Sequence, residues 1–421
     1  MKCPLRIKAY RASAKTAGSL LSSADSSYEI LFLAAYGMWL AAQIVSCSFL
    51  GALGSFDGLL RYAGIAGALL AYFLSGRWKW IDLFAAAVLV VVLVVAANTG
   101  VSSLMDLIIF IYSGRFIDFN RIVKVSFWVS VLSLAMVVLL AECGYIENFR
   151  TLSEFGRERE YLGFLYALQP AQVMFNIACL ACYSKKSRLS LPLAIALLVA
   201  IIWIYQKTDS RLSTGIAAAI VLCTFILRFE AGQRILGSVL KVLAPVSFVL
   251  CFVVSWFMVS QFSSANAFYA GVNHLLEGRL YWAQCALFQY GTTLFGQQIT
   301  FVGSGLSMTG EAANAAAYNY VDMLFIKLPI EYGWLFTILV LVAFSWVLFA
   351  AAKKSDYWLL LVLAAIAAHC LVDDLAIQLQ FNTFLFLIGV FLVRTGLHGN
   401  KCIHVGEDRR KNCTAAGRKL G

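Results

Sequence analysis

Three arginines in the sequence are placed where they could bind phosphate oxygens. Arg279 lies in a long polar stretch, residues 261–320, and Arg159 and Arg211 each precede an apolar run. The guanidinium group presents a rigid fork of N–H donors that matches the geometry of phosphate. We therefore predict that these arginines converge on an anionic substrate.

Each arginine also has a simpler interpretation, because acidic residues stand close to it in the sequence. Arg279 could form a surface salt bridge with Glu277, which would contribute little to stability. The pair Arg157 and Arg159 could be neutralised by the neighbours Glu158 and Glu160, and Arg211 could close a turn with Asp209. The sequence leaves these alternatives open.

His369 and Asp373 are the candidates for proton transfer. They are four residues apart at the end of an apolar run, so we expect them to share one helix face, with Asp374 next to the second. A histidine beside a carboxylate can act as a base near neutral pH. The alternative is a polar cluster that ties helix ends together. Ionisable groups in membrane spans cost about 2.5–3.5 kcal/mol on insertion scales, which argues for a function.

No group of residues has the spacing of a zinc site, and the adjacent Asp373 and Asp374 alone do not indicate a divalent ion. We therefore expect neither a metal nor another cofactor. A phosphoryl leaving group without a metal requires arginines to stabilise its charge. The three arginine positions meet that requirement.

The composition indicates that membrane helices position these residues. Of 421 residues, 61% are hydrophobic and 13% are charged, far from the balance of soluble domains. The apolar runs have the length of membrane-spanning helices rather than of barrel strands. The sequence predicts an all-α polytopic membrane protein with twelve spans, at about 28–50, 58–75, 81–98, 100–114, 125–142, 163–183, 189–206, 212–228, 242–260, 321–350, 357–372 and 375–395.

The distribution of Lys and Arg predicts the orientation. Most of the 33 basic residues fall in the two tails and in alternate connections, which the positive-inside rule assigns to the cytoplasm. The expected organisation is a cytoplasmic tail (1–27), a transmembrane domain (28–395) with outer loops at 142–162 and 261–320, and a cytoplasmic tail (396–421). The net charge of +11 is thus a topology signal and argues against binding to nucleic acid.

The two long outer loops predict local structure around the arginines. Leu276, Leu280, Ala283 and Leu287 have the spacing of an amphipathic helix, from whose apolar face Arg279 would project. In the other loop we expect the sixth span to begin near Tyr161. Arg157 and Arg159 would then lie at its N-terminus, where an anion is favoured.

Together these motifs resemble the Wzy-like O-antigen and capsule polysaccharide polymerases of the O-antigen ligase/polymerase superfamily. The resemblance covers most of the chain from about 140 to 395. It is carried by Arg159 with Leu162-Gly163-Phe164, Asp209-Ser210-Arg211, Leu276-Glu277-Gly278-Arg279 followed by Leu294-Phe295-Gly296, Val321-Asp322, and the segment from His369 to Asn382.

The resemblance implies a GT-C-like membrane glycosyltransferase at the outer face of a bacterial cytoplasmic membrane. Its substrate would be an undecaprenyl-pyrophosphate-linked oligosaccharide, polymerised into O-antigen, capsule or exopolysaccharide, and its partners would include a chain-length regulator and the repeat-unit flippase. Arg159, Arg211 and Arg279, supported by Arg157, would bind the pyrophosphate. His369 or Asp373 would orient or deprotonate the acceptor hydroxyl.

Two other functions remain open at this point. A ligase of the same superfamily would transfer the finished glycan to a different acceptor, and the sequence separates it poorly from a polymerase. A flippase or transporter would use twelve spans too, but it predicts charged residues in the middle of spans. In this chain the ionisable residues gather at the outer ends and loops.

Overall fold

The computed structural model describes residues 27–51, 56–76, 83–152, 156, 158–312 and 317–389. Both tails therefore lie outside the described residues, apart from Ser27. The described chain is mostly helical, with helices α1 (Ser27–Ser46), α2 (Phe56–Leu74), α3 (Leu83–Thr99), α4 (Ser103–Gly114), α5 (Phe119–Glu142), α6 (Gln169–Lys185), α7 (Leu191–Thr208), α8 (Arg211–Ile226), α9 (Glu230–Ser260), α10 (Ala267–Leu275), α11 (Arg279–Tyr290), α12 (Leu324–Lys353) and α13 (Tyr357–His369).

Six of these helices are long and apolar enough to cross a membrane: α1, α2, α5, α7, α9 and α12. Four shorter apolar helices accompany them, namely α4, α8, α13 and the Ala85–Thr99 part of α3. The 12 residues of α4 extend only about 18 Å at 1.5 Å per residue, less than the hydrocarbon core. The protein is a mostly helical membrane protein, and the number of twelve spans stays a prediction.

Helix α6 lies at the centre of the bundle and packs against α5, α7, α8 and α13. Its residues from Pro170 to Tyr183 are all buried, and Pro170 in the first turn suits a helix start because its missing N–H needs no partner there. The buried face is not purely apolar, since it includes Gln172 and Asn176. These two side chains provide hydrogen bonds for the segment that follows α13.

The predicted start of the sixth span near Tyr161 is wrong. Residues Glu158–Glu160 form a strand, β2, that pairs antiparallel with β1 (Arg150–Leu152), so that Thr151 lies opposite Arg159. The chain then reverses at Leu162 and Gly163, whose φ angles are 50° and 82°, and α6 begins only at Gln169. Arg159 therefore lies on a hairpin and not at a helix N-terminus.

The last predicted span, 375–395, is also not one continuous helix. Two short 3-10 turns, Leu375–Ile377 and Thr383–Leu385, come before helical residues 386–389. The Asn382 side chain accepts a hydrogen bond from the Phe384 N–H and donates one to the Ala376 carbonyl. These polar contacts stabilise turns in place of the i to i+4 ladder. Residues beyond 389 lie outside the described part.

The described residues of the long loop, 261–312 and 317–320, fold onto one end of the bundle, which we call the loop end. The amphipathic helix predicted around Leu280 exists as α11, and its buried residues include Leu280 and Ala283. These side chains join Val259 of α9 and Ile326 and Ile330 of α12 in a small second core. Apolar packing thus holds the loop against the ends of two membrane helices.

The second half of the loop runs back along the start of α12. Gly296 has a φ of 84°, and a Cβ there would lie only 2.7 Å from the Glu331 carbonyl oxygen. Nearby, the Trp334 N–H donates to the Thr293 carbonyl at 2.9 Å. Only glycine permits this close approach of backbone to backbone, which fixes the loop against the Glu331 backbone.

Candidate functional site

Arg159 links three segments at the loop end. From the middle of β2, its Nη2 donates to both carboxylate oxygens of Glu277, at 3.0 and 3.3 Å. Its Nε lies 3.8 Å from Oδ2 of Asp209, in the turn between α7 and α8. One guanidinium group thereby connects the hairpin, that turn and the long loop.

The acidic neighbours of Arg159 in the sequence have other partners. Glu158 and Glu160 face Arg150 on the paired strand at 3.6 and 3.3 Å, and Glu160 also accepts from Lys207 at 3.0 Å. Alternate residues of a strand point to opposite faces, so Arg159 projects away from both glutamates. The interpretation that they neutralise Arg159 locally is wrong.

The two carboxylate partners of Arg159 occupy unusual backbone positions. Asp209 ends α7 with a φ of 51°, and Glu277 precedes α11 with a φ of 54°. The left-handed region is unfavourable for residues other than glycine, and such strain concentrates at functional sites. Both turns therefore direct an acidic side chain toward Arg159 at an energetic cost.

Arg279 is the first residue of α11 and is largely buried, with 12% of its side chain exposed. Its Nη1 donates to the Leu276 carbonyl at 3.2 Å. Its Nε lies 3.8 Å from Oδ2 of Asp322, which is too long for a hydrogen bond, and this Nε–H has no acceptor among the described residues. A guanidinium group has five N–H donors, so Arg279 keeps donors for a ligand.

Arg211 is the most open of the three arginines. It begins α8, 55% of its side chain is exposed, and its Nε lies 3.7 Å from Oδ1 of Asp209. The structure thus brings the three predicted arginines together: Arg159 and Arg211 share Asp209, and Arg159 binds Glu277, two residues before Arg279. Arg157 lies outside the described residues.

His369 is the last residue of α13 and is buried against the ring of Phe175, with the ring centroids 4.5 Å apart. Its Nε2 lies 2.8 Å from the hydroxyl oxygen of Ser213, and its Nδ1 lies 3.9 Å from Oδ1 of Asp373. Because α13 ends at His369, Asp373 lies in the following turn. The expectation that both residues belong to one helix is wrong, although the turn keeps them adjacent.

Asp373 is buried beneath α6. Its Oδ2 accepts from the amide of Gln172, and its Oδ1 accepts from the Leu375 N–H at 2.9 Å. Burial and the adjacent Asp374 carboxylate raise the pKa of Asp373 above its usual value. This carboxyl group is therefore a better proton acceptor than an ordinary aspartate.

Asp322 is a site residue that the sequence indicated only through its place in a motif. It lies in the extended segment before α12, where it faces Arg279 and accepts from the Tyr318 hydroxyl at 3.4 Å. Burial raises the pKa of Asp322 to about 6, although the Arg279 charge acts in the opposite direction. This carboxyl group consequently titrates near neutral pH.

A second buried cation is Lys327, which was not among the site residues predicted from the sequence. Its Nζ lies 2.6 Å from Oδ2 of Asp374 and 4.2 Å from the ring centre of Tyr320, whose hydroxyl donates to the same oxygen at 2.7 Å. Glu331 lies 3.9 Å away. A lysine inside an apolar run was the available signal for this cluster.

An apolar cavity of about 330 Å³ adjoins the charged residues. Its walls come from α8, α9, α10, α11 and the turn after α13. Five of its lining residues are the direct sequence neighbours of Arg211, Arg279, Asp322, His369 and Asp373, namely Leu212, Leu280, Met323, Ala368 and Val372. The loop end therefore combines a charged cluster with an adjacent apolar space.

Comparisons of the chain with protein-family models, with curated proteins and with solved structures gave no match.

Proposed function

We propose that this protein is a membrane glycosyltransferase that polymerises oligosaccharide repeats carried on a polyprenyl pyrophosphate. The observation that carries the proposal is the amphiphilic character of the site. The Arg279 Nε–H, which has no acceptor among the described residues, belongs to a residue whose neighbours Leu276 and Leu280 line an apolar cavity of about 330 Å³. A lipid pyrophosphate has the same two parts, an anionic head and a hydrocarbon chain.

The arginines are suited to binding the leaving group. In the reaction, the hydroxyl oxygen of the acceptor sugar bonds to the anomeric carbon of the donor, and the bond from that carbon to the pyrophosphate oxygen breaks. Negative charge then develops on the pyrophosphate. Arg279 and Arg159 would stabilise this charge in a partly buried site, where electrostatic interactions are stronger than in water.

The acceptor proton needs a base, and Asp373 with His369 beside it supplies one. Each oxygen of Asp373 already accepts one hydrogen bond, but a carboxylate has further lone pairs to receive a proton. His369 is held by Ser213 and Phe175 with its Nδ1 3.9 Å from Asp373, so it would orient the acceptor hydroxyl beside that carboxylate. The two residues keep the predicted role, with Asp373 as the group that takes the proton.

The proposal includes the finer topology. In this proposal the protein has twelve membrane spans in a GT-C-like arrangement and both termini in the cytoplasm of a bacterium. The loop end lies at the outer face of the cytoplasmic membrane. The charge distribution supports this orientation, since basic residues concentrate in the tails and in connections away from the loop.

The test is a reconstituted polymerisation assay. Purified protein in nanodiscs is incubated with a lipid-linked repeat unit, and the products are separated by length. A ladder of lengths is the expected result. Failure to extend an authentic lipid-linked repeat contradicts the proposal, and a single transfer to a different acceptor identifies a ligase.

The variant Arg279→Lys tests the site within this assay. Lysine keeps the charge but loses the planar fork, and we expect the transfer rate to fall about 10²–10³-fold, the loss typical for one donor to a developing anion. The control is Arg234→Lys, the same substitution at a side chain that is 82% exposed and pairs with Glu230. Equal transfer rates in both variants would remove Arg279 from the mechanism.

A further inference from the structure

The helical hairpin α10–α11 has an apolar stripe on its outward side as well as on its inward side. Phe268 and Leu275 on α10 are seven residues apart, as are Tyr281 and Phe288 on α11, and all four are exposed. Seven residues make two turns, so each pair shares one helix face. Phe288 is 78% exposed, an unusual position for such a side chain in water.

The opposite side of the hairpin is already occupied. Leu280, Ala283 and Ala286 of α11 are buried against the bundle, and Val272 of α10 lines the cavity. The apolar side chains on the outward side of α10 and α11 therefore cannot be buried against the core of the bundle. A helix that lies on a protein surface in water normally turns a polar face outward, whereas these two helices expose large apolar side chains beside the polar His274 and Gln289.

The hairpin also carries very little charge. Between residues 262 and 290 the Asp, Glu, Lys and Arg residues are Glu277 and Arg279, and the one histidine, His274, is exposed. Glu277 and Arg279 turn toward the bundle, to Arg159 and Asp322 respectively. The outward face consequently carries no Asp, Glu, Lys or Arg side chain. Phe and Leu are typical of the apolar face of helices that lie in the membrane interface, and Tyr is enriched at the boundary between hydrocarbon and water.

The position of α11 relative to α9 indicates what covers this face. The Gln284 side-chain amide donates to the carbonyls of Val259 and Phe262 at 3.1 and 2.7 Å, which attaches α11 to the last turn of α9. Helix α9 is a membrane helix by length and composition, and its Phe257 is exposed on the lipid-facing surface. The apolar surface of the span thus continues into the hairpin at the level where the span ends.

We propose that α10–α11 lies in the membrane–water interface, with Phe268, Leu275, Tyr281 and Phe288 inserted among the lipids of the leaflet at the loop end. The partner is the bilayer itself. Amphipathic helices of this kind bind through the burial of apolar area between headgroups and acyl chains. This inference does not depend on the proposed glycosyl transfer.

Photo-crosslinking in the full-length protein tests the insertion. Phe268 and Phe288 are replaced, one at a time, by p-benzoylphenylalanine, which retains an aromatic ring. Each variant is placed in phosphatidylcholine–phosphatidylglycerol nanodiscs and irradiated, and adducts are identified by mass spectrometry. Phe257 on α9 is the position expected to react with lipid, and Thr309, exposed in a tight turn of the loop, is the matched water-facing position.

We expect lipid adducts at positions 268 and 288 at yields comparable to position 257 and on the order of tenfold above position 309, as insertion to the acyl boundary requires. Yields at both positions as low as at 309, while 257 reacts, would overturn the proposal. Adducts to a second protein chain instead of lipid would equally overturn it, because the face would then be a protein interface.

Discussion

Arg279 and Lys327 are both buried cations at the loop end, yet their surroundings differ in one decisive respect. The Nζ of Lys327 lies 2.6 Å from Asp374, and Tyr320 completes the cluster. The Nε of Arg279 lies 3.8 Å from Asp322 and has no acceptor among the described residues. Lys327 is part of a closed pair, whereas Arg279 keeps donors available.

The difference teaches that burial alone does not identify a ligand-binding cation. Both side chains are shielded and both face carboxylates, so a ranking by burial or by charge would not separate them. The contact lengths separate them. A short, hydrogen-bonded pair joins α12 to the turn after α13, and the long pair leaves the Arg279 Nε–H without an acceptor among the described residues. We propose a structural role for Lys327 and a ligand-binding role for Arg279.

The largest expected effect comes from breaking the closed pair. Lys327→Met should lower the free energy of unfolding by about 3–5 kcal/mol, because it leaves Asp374 buried without its cation. Thermal or denaturant unfolding of the purified protein in nanodiscs measures this loss.

Lys186→Met is the matched control for that substitution. Lys186 lies 2.8 Å from Asp356, nearly the same distance, but 34% of its side chain is exposed. Partly exposed pairs contribute about 0–1 kcal/mol, so the control should unfold almost as the parent protein does. If both variants lose a similar free energy of unfolding, the buried Lys327–Asp374 pair does not differ from the partly exposed Lys186–Asp356 pair as predicted.

A smaller effect is expected when the partner of Arg279 is neutralised. The pKa of Asp322 is raised by burial to about 6. As pH falls through this value, Asp322 gains a proton and no longer competes with an anion for Arg279. We expect KM for a lipid-linked donor to decrease on the order of tenfold, equivalent to one pKa unit of interaction. Steady-state kinetics across the pH range measure it.

Asp322→Asn should abolish this pH dependence and keep KM low across the pH range. If KM still changes with pH near 6 in Asp322→Asn, another group causes the change.

The titration of Asp322 also predicts how the free energy of unfolding depends on pH. Because its pKa in the folded state exceeds the usual 3.8, the folded protein retains a proton that the unfolded chain loses, and the stability contributed by Asp322 falls as pH rises from 3.8 to about 6.

The smallest effect is expected at Arg211. Its side chain is half exposed and its contact with Asp209 is 3.7 Å long, so water screens it. Arg211→Ala should raise KM for the lipid-linked donor only a few-fold, which corresponds to no more than about 1 kcal/mol of binding free energy. The free energy of unfolding should not change. Transfer rates measured over a range of donor concentrations, for this variant and for Arg279→Lys, give the two KM values to compare. A loss as large as that of Arg279→Lys would show that exposure does not rank the arginines.

Much of the helical architecture could be predicted because apolar runs specify membrane helices directly. The runs 189–206 and 212–228 correspond closely to α7 (Leu191–Thr208) and α8 (Arg211–Ile226). The hairpin β1–β2 was missed because three-residue strands are too short for a visible period of two. The turns after α13 were missed because Leu375–Ile377 and Thr383–Leu385 are as apolar as a span. Buried hydrogen bonds distinguish them, one accepted by Asp373 from the Leu375 N–H and one donated by Asn382 to the Ala376 carbonyl.

The candidate site could be predicted in part. Arginines placed against the topological bias were visible in the sequence, and the structure places Arg159, Arg211 and Arg279 in one neighbourhood. Their partners were not visible, because Glu277 lies 118 residues from Arg159 and Asp322 lies in a different segment from Arg279. The nearby acidic residues that seemed to explain the charges were the wrong ones for Arg159.

The amino-acid sequence alone determined that the chain forms a helical membrane protein, because burying so much apolar surface and pairing every backbone amide in hydrocarbon leaves helices as the solution. It also determined which charged residues are available at the loop end. Only the tertiary structure decided which charges meet, because contacts such as Arg159–Glu277 and Lys327–Asp374 depend on side-chain directions set by distant packing. No sequence pattern encodes the distances between those side chains, and these distances distinguish Arg279, which keeps a donor unbonded by any described residue, from the tightly paired Lys327.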